Sequence, residues 1–167
     1  MTVHASSAVV PTLVCENLGR LHYLDTQAAE LYAQSRHRLG PEAPGWLFEV
    51  EGRHRNRAAR IAKYLRNHFF QPAGDTRARA VVQVLQQELV AELEVQGTIA
   101  LLRQMEHDLA SLADQVMQSQ AALRDTDSWL SLASPSDDPL SRVEEECQHL
   151  PSFASFSIGQ GKNHGKK

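Results

Sequence analysis

Apolar residues recur at helical spacing along almost the whole of this 167-residue chain. Runs that alternate Val, Ile or Thr with polar residues, the pattern of a half-buried strand, are nearly absent. A helix buries one apolar stripe against its neighbours, and helices joined by short connections pack as antiparallel pairs. The sequence therefore predicts an all-α protein, an antiparallel up-down four-helix bundle with a short fifth helix near the C-terminus.

Turn-forming residues divide this pattern into separate helices. The first helix is expected over residues 12–39, because Gly40 suits the left-handed position that follows a helix end. The second helix is expected from about residue 44 to residue 71, after which Asp75 or Thr76 caps the third. These short connections favour antiparallel neighbours.

No glycine or proline marks the boundary between the third and fourth helices within residues 76–132. If the whole region were one helix with 100° between successive residues, the apolar stripe in its later part would lie about a third of a turn away from the stripe in its earlier part. We therefore predict a turn near Glu106-His107-Asp108, with a single helix over 76–132 as the alternative. The predicted core stripe of the third helix consists of Val81, Leu85, Leu89, Val95, Ile99 and Leu102.

The same reading gives a domain organisation. Residues 1–11 are predicted to be a flexible N-terminus, and residues 12–132 the bundle. Residues 133–150 are predicted to form a loop and a short helix that Asp138 caps. The Ser-, Gly- and Lys-rich residues 151–167 are predicted to be a disordered tail.

Composition narrows the class of protein. A net charge of −3 argues against nucleic-acid binding over the whole surface. Cys15 and Cys147 lie far apart without a CxxC motif, so we expect free thiols in a reducing cytoplasm. No apolar run approaches the roughly 18 residues of a membrane span, and no basic leader precedes the first helix. We expect a cytoplasmic protein without a membrane or nucleic-acid partner.

Charge is distributed unevenly along the chain. Residues 51–66 carry six Arg or Lys against one Glu, whereas residues 137–146 carry five acids against one Arg. A solvated face, with long side-chain stems that cover the edge of the core, is the favoured explanation; the alternative is a partner-binding surface on the second helix formed by Arg53, Arg57 and Arg60. One hypothesis is a protein-interaction adaptor that uses this basic surface.

Several polar residues project into predicted apolar stripes. Glu51 and His54 face inward on the second helix, and the same projection sends Asp25, Glu92 and Gln120 inward. Burying a carboxylate or an imidazole is costly unless each group finds a partner. The five residues are therefore predicted to form a buried polar network, which can fix the packing register of a bundle.

Residues on neighbouring helices can pair only if they lie at a similar height along the bundle axis. Asp25 lies nearer the level of His54 and Arg57 than that of Glu51, so an Asp25–Arg57 or Asp25–His54 pair is expected. A Glu-x-x-His pair is also the half-site of di-iron carboxylate proteins. In the alternative interpretation, Glu51, His54 and Glu92 bind iron or manganese, with further ligands from a second subunit.

Residues 47–61, preceded by Ala28-Ala29-Glu30-Leu31-Tyr32 and followed by Glu88-Leu89-Val90-Ala91-Glu92-Leu93, resemble bacterial ferritin-like proteins. The resemblance is to small families of unknown function in that superfamily, some of them stress-associated, and covers roughly residues 13–130. It implies an antiparallel four-helix bundle that is frequently paired through its first two helices.

The resemblance also implies which ligands to look for. Members of the superfamily carry Glu, Glu-x-x-His, Glu and Glu-x-x-His, and this chain matches that pattern at Glu51, His54 and Glu92, with Asp25 in place of the first Glu. The second Glu-x-x-His is missing. We therefore expect a structural or binding module without an intact di-iron centre and assign no catalytic residues; the alternative is a di-iron-type oxidoreductase or an iron-storage protein.

Apolar surface on the third helix predicts self-association. Val84, Val90, Leu101 and Leu102 spread beyond a single stripe. A contiguous exposed apolar patch marks an interaction site in many proteins. We therefore expect a homodimer or a higher homo-oligomer.

Overall fold

A computed structural model describes residues 12–67, 75–121 and 138–148 of the chain. Regular structure in these ranges is entirely helical, so the all-α prediction is confirmed. The helices are α1 (Thr12–Leu39), α2 (Trp46–Asn67), α3 (Thr76–Ala91), α4 (Val95–Ala121) and α5 (Pro139–Gln148). The predicted flexible N-terminus, the predicted tail and the end of the predicted fourth helix near residue 132 lie outside the described residues.

Three helix ends follow the local signals in the sequence. Gly40 has a φ of 57°, the left-handed conformation that ends α1, and a short 3-10 turn follows at Gly40–Glu42. The Asp75 carboxylate accepts hydrogen bonds from the first backbone N–H groups of α3. The Asp138 carboxylate does the same for α5. Each cap satisfies backbone donors that have no partner inside the helix.

The turn predicted near Glu106-His107-Asp108 is wrong, and so is the alternative of one helix over 76–132. The chain instead leaves the helical conformation at Glu92, whose ψ is 119°, and α4 continues through Glu106. The Glu92 carboxylate accepts a hydrogen bond from the Glu94 N–H at 3.0 Å and lies over Gly97, where a Cβ would clash with it. The break between two helices therefore lies at residues 92–94, and Ile99, Leu102 and Leu109 share one buried stripe of α4.

The displaced boundary also changes which face of α3 is buried. The predicted core residue Val81 is 63% exposed, because its place in the stripe was set by residues that belong to α4. The side chains that α3 buries are Ala78, Val82 and Leu89.

Ion pairs and hydrogen bonds give the relative directions of the helices. Asp25 pairs with Arg57, whereas Arg36, farther along α1, pairs with Glu51, which comes earlier in α2. The α1 and α2 helices therefore run in opposite directions. By the same criterion α1 and α4 are antiparallel, since Tyr32 bonds Glu106 and Arg38 bonds Thr98.

Two apolar clusters fill the interior. The first includes Ala28, Leu31, Tyr32, Leu47, Val50, Leu102 and Val143, and the second includes Cys15, Leu18, Leu21, Ile61, Leu65 and Val116. Asp25 on α1 and His54 on α2 lie between the two clusters along their helices. Polar groups at this level are therefore shielded from water by apolar packing on both sides.

The fifth helix, α5, packs against α2 and α4, and its contacts join the basic and acidic segments of the sequence. Arg53 donates to the Asp138 carbonyl at 2.7 Å. Arg103 donates to both carboxylate oxygens of Glu144, at 2.7 and 2.8 Å. Val143 is fully buried beneath these contacts. Within the described ranges, none of the helices has the length and apolarity needed to span a lipid bilayer.

Candidate functional site

A chain of buried ionisable groups joins three helices. The Nδ1 atom of His54 on α2 lies 2.8 Å from Oδ1 of Asp25 on α1. The Nε2 atom of the same ring lies 2.6 Å from Oε1 of Glu106 on α4. All three side chains are at most 1% exposed. A single imidazole therefore bridges two carboxylates in the interior.

Two further side chains complete this buried ion network, which we define as Asp25, His54, Glu106, Arg57 and Tyr32. Arg57 donates to both oxygens of Asp25, each at 2.7 Å, in the bidentate geometry that suits a guanidinium and a carboxylate. The Tyr32 hydroxyl donates to Oε1 of Glu106 at 2.9 Å, and the Tyr32 ring centroid lies 5.7 Å from that of His54.

The positions of these residues on their helices explain why they meet. His54 and Arg57 are three residues apart on α2, so they share the face that packs against α1. Asp25 and Tyr32 are two turns apart on α1 and likewise share one face. Glu106 lies on the buried side of α4 between Leu102 and Leu109.

The charges in the network balance. Burial by itself lowers the pKa of His54, but the Glu106 carboxylate and hydrogen bonds to Asp25 and Glu106 outweigh it and raise the pKa to about 9. Burial raises the pKa of Asp25, but the Arg57 guanidinium and the hydrogen bond from His54 outweigh it, and the net effect is a lowered pKa. Two carboxylates thus face one guanidinium and one imidazolium.

Tyr32 stays neutral in this arrangement. Burial, together with the adjacent Glu106 carboxylate, raises the pKa of its hydroxyl well above the usual value. A neutral hydroxyl has one proton to donate, and Glu106 accepts it. Tyr32 therefore supports the charge of Glu106 without adding one.

Glu51 belongs to a different cluster, at the edge of the α1–α2 contact. Its Oε2 accepts hydrogen bonds from Arg36 Nε at 3.0 Å and from Arg36 Nη2 at 2.6 Å, and its Oε1 accepts from Arg55. Arg36 also lies over the Phe48 ring, 4.9 Å from its centroid. Glu51 is buried, as expected, but its partners are arginines.

The structure brings together only part of the predicted polar network. Asp25 and His54 are in contact, and both predicted pairings of Asp25, with His54 and with Arg57, are present. Glu92 caps the break before α4 and does not reach this network. The Gln120 side chain lies outside the described residues.

The alternative metal set of Glu51, His54 and Glu92 is dispersed over three separate places. Within residues 12–67, 75–121 and 138–148, no group of three or more His, Cys, Asp or Glu side chains is arranged to hold a metal ion. A histidine needs one free ring nitrogen to bind a metal, whereas both ring nitrogens of His54 contact a carboxylate.

The predicted basic surface is also partly internal. Arg57 belongs to the buried network, with only 12% of its side chain exposed, and the prediction that it lies on a partner-binding surface is therefore wrong. Arg53 is bonded to α5 through Asp138 and Ser141, and Arg60 is half-buried. Arg53 and Arg57 therefore hold helices of this chain together.

The sequence analysis did not place Tyr32 in this network, and it missed Glu106. Its position on one stripe with Ile99, Leu102 and Leu109 would have indicated an inward carboxylate. The predicted turn at this residue concealed that signal, because a turn residue is expected to face water.

A second feature with binding capacity is an apolar groove of about 460 Å³ between α1, α3 and α4. Leu24, Ala28 and Leu31 of α1 lie at its base. Its two walls are lined by Val81, Val84, Leu85 and Glu88 of α3 and by Leu101, Gln104, Met105 and Asp108 of α4. The groove lies on the side of α1 and α4 that does not hold the buried ion network.

Comparison of the chain with protein-family models, with curated proteins and with solved structures finds no significant match.

Proposed function

We propose that this chain is a ferritin-like, antiparallel four-helix bundle that works as a structural or binding module, with a buried ion network in place of an intact di-iron centre. The opposite directions of α1 and α2, and of α1 and α4, support the bundle. The short connection at residues 92–94, which makes α3 and α4 sequential neighbours, supports it further.

The observation that carries this proposal is the double engagement of the His54 ring by Asp25 and Glu106. A metal ligand must present an unprotonated nitrogen, whereas a ring that donates to two carboxylates is protonated at both. Arg57 already supplies a positive charge beside Asp25, and a divalent cation placed there would be repelled by it. The site therefore favours its own cations over a metal.

The network is also poorly suited to acid–base catalysis. A general base must be unprotonated near the working pH and within reach of its substrate. His54 has a pKa raised to about 9 and is completely buried. Its chemistry is that of a fixed internal charge that joins α1, α2 and α4.

Metal analysis tests the proposal. The protein is produced in medium containing iron and manganese and is purified without chelator. We expect far less than one metal per chain. Stoichiometric iron or manganese that is lost in both Glu51→Gln and His54→Ala, but retained in the surface control His107→Ala, would instead support a di-iron-type oxidoreductase or iron-storage protein.

The state of the cysteines supports a reducing compartment such as the cytoplasm. Cys15 and Cys147 are both free and buried. Burial raises the pKa of each thiol, and neither is therefore primed for reaction.

A further inference from the structure

One exposed face of α3 has an unusual sequence of side chains. Arg77, Val81, Val84 and Glu88 are all exposed and follow one another at spacings of four, three and four residues. This spacing places them in a single straight stripe along the helix, the arrangement that meets a second helix in a coiled-coil contact. We call these four residues the α3 stripe.

The centre of the stripe is apolar although it faces outward. Val81 is 63% exposed and Val84 is 55% exposed. Both also line the apolar groove, together with Leu101 and Met105 on the facing wall. A helix laid along the stripe would therefore cover the two valines and enter the groove at the same time.

The ends of the stripe carry opposite charges, Arg77 at the start and Glu88 at the end. When the stripe is reversed and laid against itself, Arg77 comes opposite Glu88 and Val81 comes opposite Val84. The same pairs form twice, because a twofold axis between Val81 and Val84 exchanges the two copies. Parallel pairing would instead place arginine against arginine and glutamate against glutamate.

We propose that the α3 stripe and the adjacent groove form a twofold interface between two copies of this chain, with the two α3 helices antiparallel. Arg77 of each copy pairs with Glu88 of the partner subunit, and the central valines pack between these pairs. The two end charges favour a second copy over an unrelated apolar helix. A second copy laid antiparallel always presents Glu88 to Arg77 and Arg77 to Glu88, whereas an unrelated helix has no such charges by necessity. This inference does not depend on whether the buried ion network binds metal.

Paired lysine substitutions test the apolar centre of the interface. Val84 lies in the stripe, whereas Val90 is 62% exposed on the same helix but lies about 120° around the helix axis. Light scattering and sedimentation over a range of concentrations should show a dimer for the wild type and for Val90→Lys, and a monomer for Val84→Lys. Circular dichroism should show equal helicity in all three, because both positions face solvent.

Charge exchange tests the register. Arg77→Glu and Glu88→Arg should each raise the dimer Kd by at least about tenfold at low salt, because each creates two like-charge pairs. The double variant should return to wild-type affinity. An equimolar mixture of the two single variants should form a heterodimer. Arg77→Glu has a glutamate at each end of its stripe and Glu88→Arg has an arginine at each end, so every end pair in the heterodimer joins opposite charges.

Three results would overturn the proposal. The first is a wild-type protein that stays monomeric at the highest concentration, with the groove left open or filled by another segment. The second is equal dimerisation of Val84→Lys and Val90→Lys. The third is a double charge variant that dimerises no better than the single ones.

Discussion

Nδ1 of His54 lies 2.8 Å from a carboxylate oxygen of Asp25, and Nε2 of the same ring lies 2.6 Å from one of Glu106, so one imidazole connects α1 and α4 through α2. An imidazole can donate from both nitrogens only when it is protonated. Both partners are carboxylates, and the pKa of His54 is raised to about 9, so the ring is a buried cation at neutral pH. Because this chain of bonds requires one relative height for the three helices, it fixes their register.

The raised pKa of His54 predicts a stability that falls in mildly basic solution. The pKa is about 9 in the folded protein against 6.5 for an ordinary histidine. Between these values the folded state binds more protons than the unfolded state, and the free energy of unfolding therefore decreases as pH rises. Protonation of His54 contributes on the order of 3 kcal/mol to the free energy of unfolding; this contribution is complete below pH 6.5 and lost above about pH 9.

Urea unfolding at several values across this pH range measures the effect. His54→Gln should be less stable than the wild type at the low end of the range, and its stability should lack the decrease. A wild-type stability that stays flat or rises over the same range would show that the ring is neutral in the folded protein.

Removal of Arg57 should destabilise the bundle strongly. Arg57→Met leaves the buried Asp25 carboxylate without its guanidinium, and breaking a buried pair in this way typically costs about 3–5 kcal/mol. Arg55→Met is the matched control, because Arg55 lies on the same helix and its side chain is 49% exposed. The control should cost less than about 1 kcal/mol, because Arg55 is half exposed and Glu51 keeps its two hydrogen bonds from Arg36. Chemical denaturation giving equal losses for the two variants would contradict the assignment of Arg57 to the core.

The two glycines between α1 and α2 should differ in their tolerance of alanine. Gly40 has a φ of 57°, which an alanine adopts at a cost of about 1–2 kcal/mol, although no atom obstructs a Cβ there. Gly45 is equally unobstructed and has no positive φ, so Gly45→Ala should be close to neutral. Thermal unfolding should therefore show a lower Tm for Gly40→Ala alone. A loss of the same size in both variants would mean that the backbone angle at Gly40 is not the cause.

The helix ends that could be predicted from sequence depend on a few adjacent residues. Gly40 ends α1, Asp75 caps α3 and Asp138 caps α5, each through backbone groups within three residues. The break before α4 lacks a proline and depends on the Glu92 side chain folding back over Gly97. That interaction cannot be distinguished in the sequence from a continuing helix.

The candidate site was predictable to the extent that helix projection gives direction and height. Helix projection placed the side chains of Asp25 and His54 toward the core and at a similar height along the bundle. Their contact follows from these two properties. Projection could not show that Arg36 reaches Glu51 from the neighbouring helix, since a long side chain spans more than one turn. Glu106 was missed for a different reason, because the misplaced turn removed it from the buried stripe.

The most direct test of the buried ion network is the protonation state of His54, read from the ¹⁵N shifts of its ring nitrogens by NMR. The spectrum is recorded at about pH 7.5, below the raised pKa, with and without added ferrous iron or manganese. We expect both nitrogens to be protonated and to stay so when metal is added. A neutral ring, with one unprotonated nitrogen whose signal shifts or broadens on adding metal, would contradict the proposal that this core holds an ion network in place of a di-iron centre.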